Sequence, residues 1–155
     1  MVIETMAERI SPEWTLVAER NDNLVVYRED SVHVSGEATH IYHLALGDKV
    51  IGRIDIYPRS ARAYITGSFI KPPHRGRGFG RFFYVAIIND QIQMGRNVLS
   101  DMNLSTRARH VWESLEVENP SVVKRVTVDY GRTRPASQYM AYGQVRVRTH
   151  RRQRR

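Results

Sequence analysis

Ile70-Lys71-Pro72-Pro73-His74-Arg75-Gly76-Arg77-Gly78-Phe79-Gly80 is the stretch on which the fold turns. A run rich in β-branched and aromatic residues, Ala63 to Ile70, leads into it, and an apolar run, Phe82 to Ile88, follows it. That order predicts a strand, a glycine-rich turn and a helix. Glycine lets a backbone come close to a ligand, and the first turn of a helix presents N–H groups with no partner inside the helix. Together they predict an anion site, with a phosphate or diphosphate as the guest.

Spacing separates the known phosphate loops. The dinucleotide fingerprint requires Gly-x-Gly-x-x-Gly. Counted from Gly76 its last position falls on Arg81, and counted from Gly78 it falls on Phe83. The nucleoside-triphosphate loop, Gly-x-x-x-x-Gly-Lys-Ser/Thr, does not occur. What stands here is Arg75-x-x-Gly78-x-Gly80, preceded by Ile70-x-Pro72-x-x-Arg75. A tight strand-to-helix connection with solvated arginines is the plain alternative to a ligand loop.

The pattern resembles the acetyl-CoA loop and its lead-in strand in the GNAT superfamily of N-acetyltransferases. The likeness runs over residues 39–130. It includes a long helix from Gly78 to Met94 with Gly95 as its stop, and a strand from Val98 to Met102. A second helix follows, with Ser105 as N-cap and Ala108, Val111, Trp112 and Leu115 on one face. The resemblance implies an α+β fold, a mixed and mostly antiparallel central sheet flanked by helices. It implies acetyl-CoA as co-substrate and an amine as acceptor, on a protein or a small molecule. It places the diphosphate on Arg75, Gly76, Arg77, Gly78, Phe79, Gly80 and Arg81. It also implies that Phe69 and Ile70 pair through their backbone with the pantetheine arm, where an N–H polarises the thioester carbonyl. Ser105 takes the position of an asparagine that bonds the same arm.

Departures from the family pattern are equally legible. Trp112 stands where the family often has tyrosine, and an indole N–H donates but does not titrate; core packing is its expected role. Glu116-Val117 replaces a glycine-aromatic pair. The Ala63–Ile70 strand carries no carboxylate, and Tyr64, Thr66 and Ser68 are expected on one of its faces. The candidate bases are therefore Asp55, His43 and Asp101. His40 and His43, three apart on a strand, point to opposite faces, so no metal site is expected. The segment from Ser100 to Leu115 is similar to compact acetyltransferases of bacteriophages, which would place the protein in a host's cytoplasm.

With 155 residues the chain holds one domain, expected over 1–148 with an atypical segment at 1–22 and an arginine-rich tail at 149–155. The absence of cysteine excludes disulfides, thiolate nucleophiles and cysteine zinc sites. No apolar run approaches the ~20 residues of a membrane span. Met1 to Ile10 carries Glu4 and Glu8 and has no apolar core, against a secretory leader, so a cytoplasmic protein is expected. All 16 acidic residues lie at or before Asp129, and the net charge of +8 comes from the arginines beyond it. The run Arg146 to Arg155 has three readings: a nucleic-acid arm, a dock for an acidic protein, or a solvated end. A homodimer is compatible with all of them.

Elsewhere the pattern predicts short helices at Ile3–Ile10 and Pro12–Arg20, and a strand at Leu24–Arg28. A hairpin is expected from His40–Leu46 and Val50–Tyr57 around Gly47-Asp48-Lys49, then a loop at Pro58–Arg62. Val122–Tyr130 and Tyr139–Val147 read as closing strands, with Arg146 and Arg148 on the outer face. The GNAT superfamily usually places two helices after its first strand, where they help form the acceptor pocket. The link after the Leu24 strand is too short for them. The acceptor side is thus expected to be open, or completed by residues 1–22 or by another chain.

Overall fold

The computed structural model describes residues 9–131 and 134–146. Eight strands form a single sheet: β1 (Thr15–Arg20), β2 (Leu24–Val32), β3 (Ala38–Leu46), β4 (Lys49–Arg59), β5 (Arg62–Ile70), β6 (Asn97–Leu99), β7 (Val123–Val128) and β8 (Ala136–Ala141). Their spatial order is β1-β2-β3-β4-β5-β6-β8-β7. Every neighbouring pair is antiparallel except β5 and β6, which run parallel. Two helices interrupt the strands, α1 (Phe79–Gln93) between β5 and β6 and α2 (Thr106–Glu118) between β6 and β7. The mixed, mostly antiparallel sheet with flanking helices is the architecture the sequence implies.

The core lies between the sheet and the helices. Leu24, Val26, Tyr42, Leu44, Ile54, Ile56, Ala63 and Ile65 meet Phe83, Ile87 and Ile88 of α1, and Trp112 and Leu115 of α2. Trp112 is fully buried between Tyr84 and Tyr139, the packing role expected for it. Three strands are joined by two short reversals. Gly47-Asp48 links β3 to β4, with Gly47 at φ 61, and Ser60-Ala61 links β4 to β5. The Pro58–Arg62 loop expected from sequence is therefore mostly strand, closed by two residues.

Three further differences have physical causes. Pro12–Arg20 is not a helix: Thr15–Arg20 is an edge strand whose Thr15, Leu16, Ala18, Glu19 and Arg20 pair with β2. Sheet pairing overrides a weak local helix preference there. The Ile3–Ile10 helix lies almost wholly outside the described residues. The final strand stops at Ala141 rather than reaching Val147. Beyond it, two asparagine side chains take over the work of a neighbouring strand. Asn89 accepts from the Val145 N–H at 2.8 Å and donates to its carbonyl at 3.0 Å, and Asn119 does the same for Arg146 at 2.8 and 2.9 Å. Arg148 and the 149–155 tail lie outside the described residues.

The third difference sits in β5. Ile56 pairs with Ile65, but Asp55 pairs with Gly67 and Ile54 with Ser68. Thr66 is an extra residue, a β-bulge. Partners across a ladder share a face, so the bulge puts Ser68 on the core side with Ile65 and opposite to Tyr64. The regular alternation that would group Tyr64, Thr66 and Ser68 is broken at that point.

Candidate active site

The sheet splits where β5 leaves β6. Their pairing covers only Arg62–Tyr64 against Asn97–Leu99. From Ile65 to Ile70, β5 therefore has no strand on its β6 side, and its peptide groups there face a gap. The gap opens into a cavity of about 620 Å³, within the range of small-molecule and cofactor pockets. Ile54, Ser68, Phe69 and Ile70 form its sheet wall, and Phe83 and Tyr84 of α1 its floor. Ser105, Thr106, Arg107, Ala108, His110 and Val111 face it from α2. His74, Arg75, Gly76, Gly78, Gly80 and Arg81 form the end nearest the turn.

That end is built to receive negative charge. The N-cap of α1 is Gly78, which has no side chain to satisfy the orphan N–H groups, and the first turn carries no acidic residue. Gly78 has φ +77, and a Cβ placed there would meet nothing within 4 Å, because it would enter the open space beside the turn. The left-handed backbone is the reason a glycine occupies the position. Arg75 holds the turn against the strand: its Nε donates to the Ile70 carbonyl at 2.7 Å, and its guanidinium lies 5.2 Å from the Phe69 ring centre. Arg81 pairs with Glu118 at the end of α2, which ties the two helices together beside the cavity.

The residues named from the sequence divide into two groups. Phe69, Ile70, Arg75, Gly76, Gly78, Gly80, Arg81 and Ser105 all line the cavity. Arg77 and Phe79 do not; Phe79 is buried beneath the Arg20 guanidinium. Ser105 caps α2, its Oγ accepting from the Ala108 N–H at 3.1 Å, so its oxygen already serves the helix.

The candidate bases do not line the cavity. Asp55 accepts from Arg53 Nε at 2.6 Å. His43 is buried on the sheet face away from α1, stacked at 3.7 Å on Trp14, with Nε2 2.8 Å from Glu29. A carboxylate only accepts, so Nε2 carries the hydrogen. Burial pushes the His43 imidazole below its ordinary range, and Glu29 opposes that shift. Its remaining Nδ1 is buried with no hydrogen-bond partner among the described residues. Asp101 accepts from the Asn103 N–H at 3.0 Å, and its charge helps to raise the Tyr84 phenol, although burial is the larger cause. His40 bonds Gln91 of α1 at 2.9 Å while His43 faces Trp14, which confirms opposite faces for the two histidines.

Sequence reading missed four groups that face the cavity. His74 and Arg107 look like ordinary surface residues, and His110 falls between the apolar positions of α2. Tyr84 reads as one more apolar position of α1, yet its hydroxyl donates to Ser68 Oγ at 2.8 Å. A polar aromatic inside an otherwise apolar run was the only signal available.

β2 and β3 are joined by His33–Glu37, with no helix. Residues Ser11–Trp14 form a turn, and the Trp14 ring covers His43 and approaches Tyr27 at 6.2 Å. The N-terminal segment thus screens part of the sheet face opposite α1. Among the described residues no helix is long and apolar enough to cross a membrane.

The sequence profile of the acetyltransferase (GNAT) family matches residues 3–115. No curated protein matches the chain. Among solved structures, a Klebsiella pneumoniae protein assigned as an acyl-CoA N-acyltransferase superposes with a TM-score of 0.48 at 13% identity, over 66% of this chain and 70% of that one. The PaiA N-acetyltransferase of Thermoplasma acidophilum, solved with coenzyme A, gives 0.45 at 11% identity, over 66% of this chain and 58% of its own length. A GNAT family acetyltransferase of Elizabethkingia anophelis with acetyl-CoA bound gives 0.45 at 10% identity, over 77% and 96%.

Proposed function

This chain belongs to the GNAT acetyltransferase family, and on that footing we propose that it is an acetyl-CoA-dependent N-acetyltransferase acting on an amine of a protein or other macromolecule. One observation carries the reading: an uncapped, glycine-started helix and an unpaired strand edge open into the same cavity. The first suits a diphosphate and the second suits an amide-bearing arm. Bound there, acetyl-CoA supplies an acetyl group activated as a thioester.

The residues divide the work as follows. N–H groups at the start of α1, from Phe79 to Arg81, hold the diphosphate, with Arg75 adding charge. Arg77 is exposed beside the turn and screens from outside. The free edge of β5 at Phe69 and Ile70 aligns the pantetheine arm, and an N–H there polarises the carbonyl. Asp101 is the base we assign to the amine, because it lies between β6 and α2, a few residues before the helix that faces the cavity, and its charge reaches Tyr84 in the cavity floor. The open link between β2 and β3 leaves room for a large acceptor.

Acetyl-CoA should raise the melting temperature, since a ligand that binds only the native state stabilises it by mass action. Acetyl-lysine mass spectrometry of cells making the active protein, against cells making Asp101→Asn, then reports the acceptor. Absence of any thermal shift at millimolar acetyl-CoA would overturn the reading.

A second reading draws on the same cavity. His43 and Asp55 do not line it, and Trp112 offers no acid. These features favour a binding module that keeps the cofactor and uses Arg146–Arg155 on nucleic acid or an acidic protein. The two readings part on turnover: acetyl-CoA binding without any acetylated product supports the second.

A further inference from the structure

Ser68 and Tyr84 form a hydroxyl pair in the wall of the cavity that neither the fold nor the diphosphate cradle requires. The Tyr84 ring is 5% exposed, while Ser68 is open to the cavity. The two oxygens lie 2.8 Å apart. A phenol is more acidic than an alcohol and is the better donor of the two, and when it donates to Ser68 Oγ the serine's own hydrogen is left for a partner in the cavity, since none occurs among the described residues. A hydroxyl that accepts one bond becomes a better donor for the next. The bulge at Thr66 is what turns this hydroxyl inward, because Ser68 pairs with core-facing Ile54. The Tyr84 ring also meets the edge of Trp112, 6.0 Å away at 72°. The phenol thus stands on α1, next to the helix position where this chain has an indole.

The geometry points to Ser68, supported by Tyr84, as the hydrogen-bond donor that receives the coenzyme's sulfur and stabilises it as a thiolate. This inference rests on the acetyl-CoA reading above. In the transfer the amine nitrogen forms a bond to the carbonyl carbon and the carbon–sulfur bond breaks. The electron pair of that bond stays on sulfur, and the amine proton passes to Asp101 or to water. Tyr84 does not give up its proton. Burial raises the phenol, with Ser68 opposing and Asp101 adding to the rise, and a group above its ordinary ~10 is a poor acid toward a thiolate near ~8.5. Ser68 is therefore a donor without proton transfer, and Tyr84 a positioning residue behind it.

The test needs no acceptor. Calorimetry compares CoA with desulfo-CoA, which keeps every phosphate and lacks the thiol, between about pH 6.5 and 9. His74, Arg75, Arg81, Arg107 and His110 line the cavity, and these groups, like Asp101 outside its lining, act alike on both ligands, so the affinity ratio isolates the sulfur. With the wild-type protein the ratio should climb as pH rises, by about tenfold to a hundredfold, the worth of one charge-assisted hydrogen bond. Ser68→Ala should flatten that climb without changing desulfo-CoA affinity, and Tyr84→Phe should reduce it severalfold. Ser68→Thr, which keeps the hydroxyl, should restore it. A ratio that is flat for the wild type, or unchanged in Ser68→Ala, overturns the thiolate donor while leaving the cofactor reading intact. If neither ligand binds the wild-type protein, both fall.

Discussion

At its C-terminal end α1 pairs its buried polar side chains, and at its N-terminal end it leaves several backbone groups without an intrahelical partner. Asp90 accepts from Arg28 at 2.8 Å and from Tyr42 at 2.6 Å, and Gln91 donates to Tyr42 at 2.7 Å and to His40 at 2.9 Å. The last carbonyls are closed by a left-handed glycine cap, Gly95 N–H to Ile92 and Arg96 N–H to Gln91. The first turn of the same helix has no side-chain cap, no acid and a glycine N-cap beside open space. Buried polar groups need partners, and the C-terminal end has them; the N-terminal end opens onto the cavity, where the proposed function puts the diphosphate.

The largest effect should come from filling the open end. Gly78→Trp places a side chain in the space beside the turn and forces a left-handed residue, and it should abolish the acetyl-CoA thermal shift. At a ligand concentration of one hundred times Kd that shift amounts to about 2.7 kcal/mol. If the shift survives in Gly78→Trp, the cradle is elsewhere and the contrast between the two ends has no functional meaning.

Asp90→Ala is the converse experiment. It leaves Arg28 with only the more exposed Asp30, and leaves the Tyr42 phenol without its acceptor. The ion pair is mostly but not wholly buried, so about 2 kcal/mol of stability should be lost. At this chain length that is roughly 4–8 °C in Tm. The acetyl-CoA shift, measured from the new baseline, should stay. Loss of both together would show that the ends of α1 are coupled.

The contrast was only half visible in the sequence. The open end announces itself locally, through Arg75, Gly78 and Gly80 in series, because close approach to an anion demands glycine within a few residues. The closed end is assembled from Arg28, His40 and Tyr42, far away in the chain, and no spacing rule reaches them. The same holds for Ser68: strand alternation predicts its face only until the Thr66 bulge inserts one residue. Thr15–Arg20 became a strand because β2 was there to pair with it, which is a tertiary fact. His43 and Asp55 were sound choices by chemical type, and it is ladder geometry that sets them apart from the cavity.

Ser105→Ala probes the second helix facing the cavity. Removing a serine N-cap costs about 1 kcal/mol, and denaturant unfolding should report that loss. Arg107, Arg109 and His110 crowd the first two turns of α2, where the helix dipole disfavours positive charge. Bound phosphates would relieve this, so the destabilisation should shrink when CoA is present. An equal loss with and without CoA would remove α2 from the binding site and leave α1 to act alone.

Acid should act on the buried histidines, His40 at the closed end of α1 and His43 on the far sheet face, and spare the open end. Burial holds His40 below its ordinary value, with Asp30 opposing, and it holds His43 below as well. In the unfolded chain both titrate near ~6.5. Between the lowered folded values and ~6.5 the unfolded state binds more protons, so stability rises with pH across that window. The contribution is complete above ~6.5 and is lost as pH falls through the folded values. Melting measured from about pH 7 down to 5, above the range where carboxylates dominate, should show this decline, and it is the smallest of the effects. His40→Gln removes one titrating ring from the Asp90 network, and Trp14→Ala uncovers His43; each should make the decline shallower. A slope unchanged in both variants would mean that the histidines play no part in it. If the acetyl-CoA shift instead faded in step with the melting temperature, acid would be reaching the glycine turn as well, and α1 could not be divided into a structural end and a functional one.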